Sequence, residues 1–274
     1  MNTTAKSANV HVVAMVEQIA STEMPPLERA EALIEIALDL QKQPKDPQDL
    51  HDALYLYERA AEWTADHRLA TARVHAGRGA ALRRLPGSGL AELEQARDAF
   101  EDALPVLRAD GEAEELAEVE MSFGLVLQAL AAANRATLPD AIAAYQRALR
   151  TFGKHAYPRE YAILHNNLAT AYLSMKLSPE KDVMREAMAV QSFRQALEVV
   201  TLLEDPSEYA MLQNNLGNAL QAMRTAHPLE NLRRAVEAYD EALKVRTPYD
   251  TPVEFANTAT NTANALMNLP DDPD

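Results

Sequence analysis

Asparagine is the residue whose spacing most resembles a site. Asn167, Asn215 and Asn261 fall at matching places in three similar segments, Asn166 and Asn214 directly precede two of them, and Asn218 and Asn264 follow one helical turn later. Residues at i and i+4 share a helix face, so Asn214 and Asn218 line one side. A carboxamide carries donors and an acceptor together, which suits recognition of a polypeptide main chain without reading its side chains. Thr170, Ile163, Met211 and Met267 stand near the same faces, and methionine adapts to varied partners. The competing reading is structural: asparagines at 167 and 215 bond a neighbouring helix to satisfy buried groups, and the apolar candidates are ordinary packing.

Catalytic chemistry finds no comparable pattern. The seven histidines, His11, His51, His67, His75, His155, His165 and His227, include no His-Glu-x-x-His pair. His67 and His75 share a helix face without a third ligand nearby. No Gly-x-Ser-x-Gly turn, phosphate-cradling glycine loop or dinucleotide fingerprint is present. With no cysteine, disulfides and thiolate metal sites are excluded. The expectation is a protein that is not an enzyme, with no catalytic residue, metal or cofactor.

The elements that must carry the asparagines come from two interleaved repeats. The first is Ala-x3-aromatic-x2-Ala-Leu, at Ala96/Phe100/Ala103/Leu104, Ala141/Tyr145/Ala148/Leu149, Ala189/Phe193/Ala196/Leu197 and Ala235/Tyr239/Ala242/Leu243, with a fainter copy at Ala53/Tyr57/Ala60/Ala61. Its steps of 43, 45, 48 and 46 residues have the period of a helical solenoid. The second pattern lies between these copies: Pro158-Arg159-Glu160-Tyr161-Ala162 then Asn166-Asn167-Leu168-Ala169 matches Pro206-Ser207-Glu208-Tyr209-Ala210 then Asn214-Asn215-Leu216-Gly217. Pro252-Val253-Glu254-Phe255-Ala256 with Asn261 is a weaker third copy. Prolines and glycines punctuate the chain at helix-length intervals and never cluster into a linker, which predicts one continuous array.

These two registers resemble the tetratricopeptide repeat family, whose unit of about 34 residues carries Leu-Gly and a tyrosine on helix A, then Ala-x3-Phe-x2-Ala on helix B. Leu168-Ala169 with Tyr172, and Leu216-Gly217 with Leu220, stand where the helix A motif stands. The units here are longer by roughly a third, similar to the long-repeat bacterial branch with an Asn-Asn-Leu-Gly helix A. The resemblance implies an all-α, right-handed solenoid, and the turn signals along the chain divide it into about twelve antiparallel helices. It also implies that helix A faces a concave groove, where an asparagine just before Leu-Gly grips a peptide backbone; here that role falls on Asn167, Asn215 and Asn261. Members that clamp a C-terminal carboxylate use Lys or Arg beside that asparagine, and only Arg78 is expected on the corresponding face, so a receptor of that kind is not expected.

The organisation expected is a divergent N-terminal cap over 1–46, the array over 47–268 and a disordered acidic tail over 269–274. The Asn- and Thr-rich last helix suits a polar end cap. Trp63 reads as packing against the following helix, and the amphipathic segment Val10 to Ile19, lacking a repeat partner, offers an end helix for self-association into a homo-oligomer.

Charge bounds the partners. A net charge of −15 disfavours phosphate backbones, so neither nucleic acid nor an anionic membrane is expected as a partner. Eleven carboxylates between Glu92 and Glu120 face only Arg97 and Arg108. They read as a solvated face or as a docking patch for a basic partner. No signal peptide and no membrane span are legible, which makes a cytoplasmic protein the plain expectation. The function expected is an interaction scaffold or adaptor that binds a protein or peptide segment in the helix A groove. The alternative is a dedicated assembly chaperone for an enzyme complex.

Overall fold

A computed structural model describes residues 8–175, 179–224 and 227–270. Among them are twelve α-helices and no strand. Asp271 to Asp274 of the expected acidic tail, and Ser178 of one expected turn, lie outside the described residues. The chain divides into two compact units, Met1–Thr151 and Phe152–Asp274. The first holds α1 (Val10–Ala20), α2 (Pro26–Lys42), α3 (Pro47–Ala61), α4 (Arg68–Arg84), α5 (Leu90–Asp110), α6 (Ala113–Ala132) and α7 (Leu138–Ala148). The second holds α8 (Pro158–Ser174), α9 (Pro179–Leu197), α10 (Pro206–Ala222), α11 (Pro228–Leu243) and α12 (Pro252–Met267).

Seven of the twelve helices start on proline, whose fixed φ suits the first turn and whose missing N–H would have no intrahelical partner there. At α3 the start is reinforced from both sides: Asp46 Oδ1 accepts from Gln48 N at 2.7 Å, and Asp49 Oδ2 accepts from Lys45 N at 2.6 Å. The helices then pack as consecutive pairs. In the first unit α2 lies most extensively on α3, α4 on α5 and α6 on α7; in the second, α8 on α9 and α10 on α11, with α12 closing against α11. The first members of pairs, here the A helices, also touch one another, α2 to α4, α4 to α6 and α10 to α12. Within each unit the fold is a helical-repeat solenoid.

An aromatic ring on the B helix seats in a notch on an A helix. Gly124 of α6 faces Tyr145 of α7 so closely that a Cβ there would stand 2.5 Å from the ring, and Gly217 of α10 faces Tyr239 of α11 in the same way. Each tyrosine is buried, which pushes its hydroxyl well above the usual phenol range. Its O–H must therefore be satisfied as a donor. Tyr145 donates to Gln128 Oε1 at 2.8 Å, and Tyr239 shares its proton between Asn218 Oδ1 at 2.8 Å and Gln221 Oε1 at 2.9 Å. Both glutamines stand one turn after the glycine. Where the B helix carries phenylalanine, as at Phe193 and Phe100, there is no hydroxyl and no acceptor is required.

The same grammar appears at Ala37, Gln41 and Tyr57. Tyr57 donates to Gln41 Oε1 at 2.9 Å, Gln41 Nε2 donates to the Gly77 carbonyl at 2.7 Å, and the Tyr57 ring fills the notch at Gly77. Pairing thus begins with α2, ahead of residue 47. Beneath it, Val16 of α1 joins Ala30, Leu33, Ala37, Leu56 and Tyr57 in one cluster, with Val12, Met15 and Ile19 packed on its edge. The apolar face of α1 expected to serve self-association is thus partly covered by the chain's own α2 and α3, with Val16 buried and Val12, Met15 and Ile19 half-buried. Trp63 packs on this cluster, which includes Val74 of α4, with the Arg29 guanidinium 5.8 Å from its ring centroid.

Buried charge ties helices where apolar packing alone would let them slide. Glu120 of α6, 1% exposed, takes a two-pronged bond from Arg147 of α7, both contacts at 2.8 Å, and a further bond from Arg108 of α5 at 2.8 Å. In the second unit Arg185 of α9 donates to the Tyr172 and Leu173 carbonyls at 2.8 and 2.9 Å, satisfying the end of α8, while Asp182 and Glu186 hold its charge.

Two outcomes test this account by urea unfolding. Gly217→Ala is expected to lose about 1–3 kcal/mol through overpacking against Tyr239, whereas Gly153→Ala, with open space around its Cβ, is expected to be neutral. Glu120→Gln is expected to lose about 1–3 kcal/mol, because two arginines lose their charged acceptor.

Candidate functional site

The A helices of the first unit form a groove. From α2 it takes Glu31, Ile34, Glu35, Leu38, Gln41 and Lys42; from α4, Ala70, Arg73, Ala76, Gly77 and Ala80; from α6, Glu115, Glu118, Val119 and Ser122, with Phe100 of α5 in the floor. The spacings of three, four and seven on each helix put these residues on single stripes. The groove encloses ≈ 560 Å³, within the range of sites that bury several apolar groups. Alanine and glycine along α4 make its recess, and Leu38, 41% exposed, stands at its edge.

Arg73 spans the groove from α4 to α6, with Nε 2.8 Å from Glu115 Oε1 and Nη2 3.1 Å from Oε2. This pairing raises the affinity of Arg73 for its proton, with Glu31 and Glu112 adding to the field. Gln41 is satisfied on both sides and contributes shape rather than a free amide. Among the described residues no three His, Asp or Glu side chains converge to hold a metal.

No family model and no curated protein matches the chain. Solved structures do. A signal-transduction ATPase with numerous domains and a tetratricopeptide repeat sensor, from Pyrococcus horikoshii, superposes with TM-score 0.63 at 15% identity over 94% of this chain and 36% of its own. The present chain therefore spans about a third of that protein's length. BtubC from P. vanneervenii gives TM-score 0.63 at 17% identity, covering 100% of this chain and 96% of its own, and Pseudomonas aeruginosa PilF gives 0.55 at 14% over 89% and 91%. The fold is tetratricopeptide-like. At these identities the likeness concerns the fold alone.

The asparagines of the tetratricopeptide-like second unit divide between interior and surface. Asn214, expected on the groove face, is 9% exposed: Thr258 Oγ1 and Asn261 Nδ2 of α12 approach its Oδ1 at 3.2 and 3.3 Å, and its Nδ2 lies 3.5 Å from Asn215 Oδ1. It is a clip between A helices, because α12 supplies a hydroxyl and an amide where a groove residue would meet solvent. Asn218 is exposed, yet its oxygen accepts from Tyr239. Asn264 is exposed, with its carbonyl accepting from Asn268 Nδ2 at 2.7 Å, and Met211 and Met267 are exposed as well. On α8, Asn166 Oδ1 and Asn167 Nδ2 are buried without a hydrogen-bond partner, and Thr170 Oγ1 donates to the Asn167 carbonyl at 2.9 Å. The register explains the orphaned oxygen. The position that is Thr258 on α12 is Leu212 on α10, which has no proton to give Asn166.

Sequence reasoning missed the α2 contribution to the groove. Its signal was Ala37, Gln41 and Tyr57, whose offsets repeat those of Gly124, Gln128 and Tyr145 to within a residue. Arg78, expected on the α4 groove face, lies one residue off the stripe of Ala70, Arg73, Gly77 and Ala80, and its Nε is buried without a partner. The basic residue that faces the groove from α4 is Arg73.

Asn214→Ala leaves the Asn261 amide of α12 without its acceptor, while the Thr258 hydroxyl keeps the Glu254 carbonyl, and is expected to cost about 1–3 kcal/mol. Native-state hydrogen exchange should show α12 opening first, ahead of α10.

Proposed function

We propose that this chain is an interaction scaffold that seats a segment of a partner protein in the α2–α4–α6 groove of its first unit. The observation that carries the reading is the groove itself: three A helices contribute every lining residue but Phe100, and they surround an apolar recess with Leu38 standing open at its edge. A soluble protein gains nothing by leaving such a recess uncovered, and recesses rimmed by polar residues are where partners dock. The tetratricopeptide-like fold and the long-repeat resemblance support binding over catalysis as the use of this surface.

A second face has its own observation. Asn218 and Asn264, with Met211, stand exposed on α10 and α12, which supports a main-chain contact there, with Asn215 and Asn261 beside them; the unmatched Asn166 Oδ1 and Asn167 Nδ2 on α8 are buried. This reading makes the second unit an amide-lined surface for main-chain recognition.

Affinity capture from native extract with mass-spectrometric readout tests the first seat. Ala80→Trp, which fills the recess from its floor, is expected to weaken partner retention about tenfold, near 1.4 kcal/mol, with unchanged helical content by circular dichroism. Retention equal to wild type in a folded Ala80→Trp protein would move the site away from this groove.

A further inference from the structure

We propose that the groove of the first unit is built for a cationic amphipathic segment, with apolar side chains in the recess and Lys or Arg along its flanks. The inference rests on the groove reading above and adds the chemistry of the occupant. Four carboxylates rim the recess, Glu31 and Glu35 on α2 and Glu115 and Glu118 on α6, against two cations, Arg73 and Lys42. Arg73 is already engaged, because its guanidinium fork is closed on Glu115. Lys42 sits at the far end of the α2 stripe, exposed.

Glu31 and Glu35 lie one turn apart on α2, both exposed and, among the described residues, in no salt bridge, with Glu31 adding to the field on Arg73. Two like charges at i and i+4 repel, so a helix gains nothing from them by itself. Across the groove α6 opens with Glu112, Glu114, Glu115 and Glu118 before any basic residue. The carboxylates thus stand on both walls of an apolar floor, where a bound segment would exclude water and strengthen their field. An acidic segment meets like charge on both walls. An uncharged apolar segment fills the recess and leaves the rim's net negative charge, four carboxylates against two cations, unmatched. A segment whose lysine stems run along the apolar edge and whose ammonium groups reach Glu31, Glu35 and Glu118 satisfies floor and rim together.

The test uses the full chain, fluorescence anisotropy, and two labelled peptides of about 18 residues. One carries leucine on one helical face and lysine on the other; its twin replaces every lysine by glutamate. The lysine peptide is expected to bind and to weaken about tenfold on Glu31→Gln/Glu35→Gln/Glu118→Gln. The equal-charge control Glu230→Gln/Asp240→Asn/Glu254→Gln, in the second unit, is expected to bind it as wild type does. Equal loss in both triple variants, or glutamate-peptide binding as tight as lysine-peptide binding, would overturn the charge preference. If that binding is still abolished by Ala80→Trp, the groove reading stands. If no binding of either peptide is sensitive to Ala80→Trp, both the preference and the groove reading fall.

Discussion

The seat of one aromatic ring against a residue with little or no side chain sets the spacing of the helices in each unit. Tyr145 against Gly124 and Tyr239 against Gly217 leave no room for a Cβ, so helix and ring approach to the limit that atoms allow. α4 uses the device twice. Gly77 admits Tyr57 from the preceding helix, and two residues on, Gly79 brings a Cβ position to 3.0 Å from the Phe100 ring of the following one. A single helix is thereby fixed against both neighbours, and the path of the A helices that border the groove follows from these contacts.

Close apolar seating fixes distance but not rotation or slip, and the buried polar groups complete it. A tyrosine hydroxyl carried into the seat needs an acceptor, and the glutamine one turn on supplies it in only one register. Glu120 does the same with charge, since the two prongs of Arg147 and the approach of Arg108 are met together in one arrangement of α5, α6 and α7. Repeats that carry phenylalanine in the seat dispense with the glutamine, so the polar lock follows the hydroxyl rather than the repeat.

The fold was legible because these seats recur. The alanines around each aromatic, and the Leu-Gly or Leu-Ala pair between them, have to be small or apolar at fixed offsets, and that constraint prints a period on the chain. The proposed site was far less legible. The asparagine series looked like a surface because it repeats, but repetition marks what the repeat needs for packing: Asn214, the centre of the series, bonds α12. α2 was read as a divergent cap because the alanine-aromatic repeat that follows it, Ala53/Tyr57/Ala60/Ala61, is the faintest copy. The acidic stretch from Glu92 to Glu120 also divides on inspection. Glu120 is buried under two arginines, Glu115 is paired with Arg73, and Glu118 lies exposed at the groove rim, a distinction that no charge count could make.

The reason for this asymmetry lies in how an A helix shares out its circumference. On α6 the packing stripe runs through Phe123, Gly124, Leu127 and Gln128, whereas the groove stripe runs through Glu115, Glu118, Val119 and Ser122. On α2, Ala30, Leu33 and Ala37 face the core while Glu31, Glu35 and Leu38 face the groove. Ile34, Gln41 and Gly77 belong to both stripes, Ile34 through the core cluster and the other two through the Tyr57 lock. Residues on the groove stripe can therefore change identity without disturbing the seats that build the stack. The first unit carries carboxylates around an apolar floor and the second carries amides, on A helices that follow the same packing rule. A periodic sequence thus announces its architecture through the stripe that must repeat and keeps its binding chemistry on the stripe that need not.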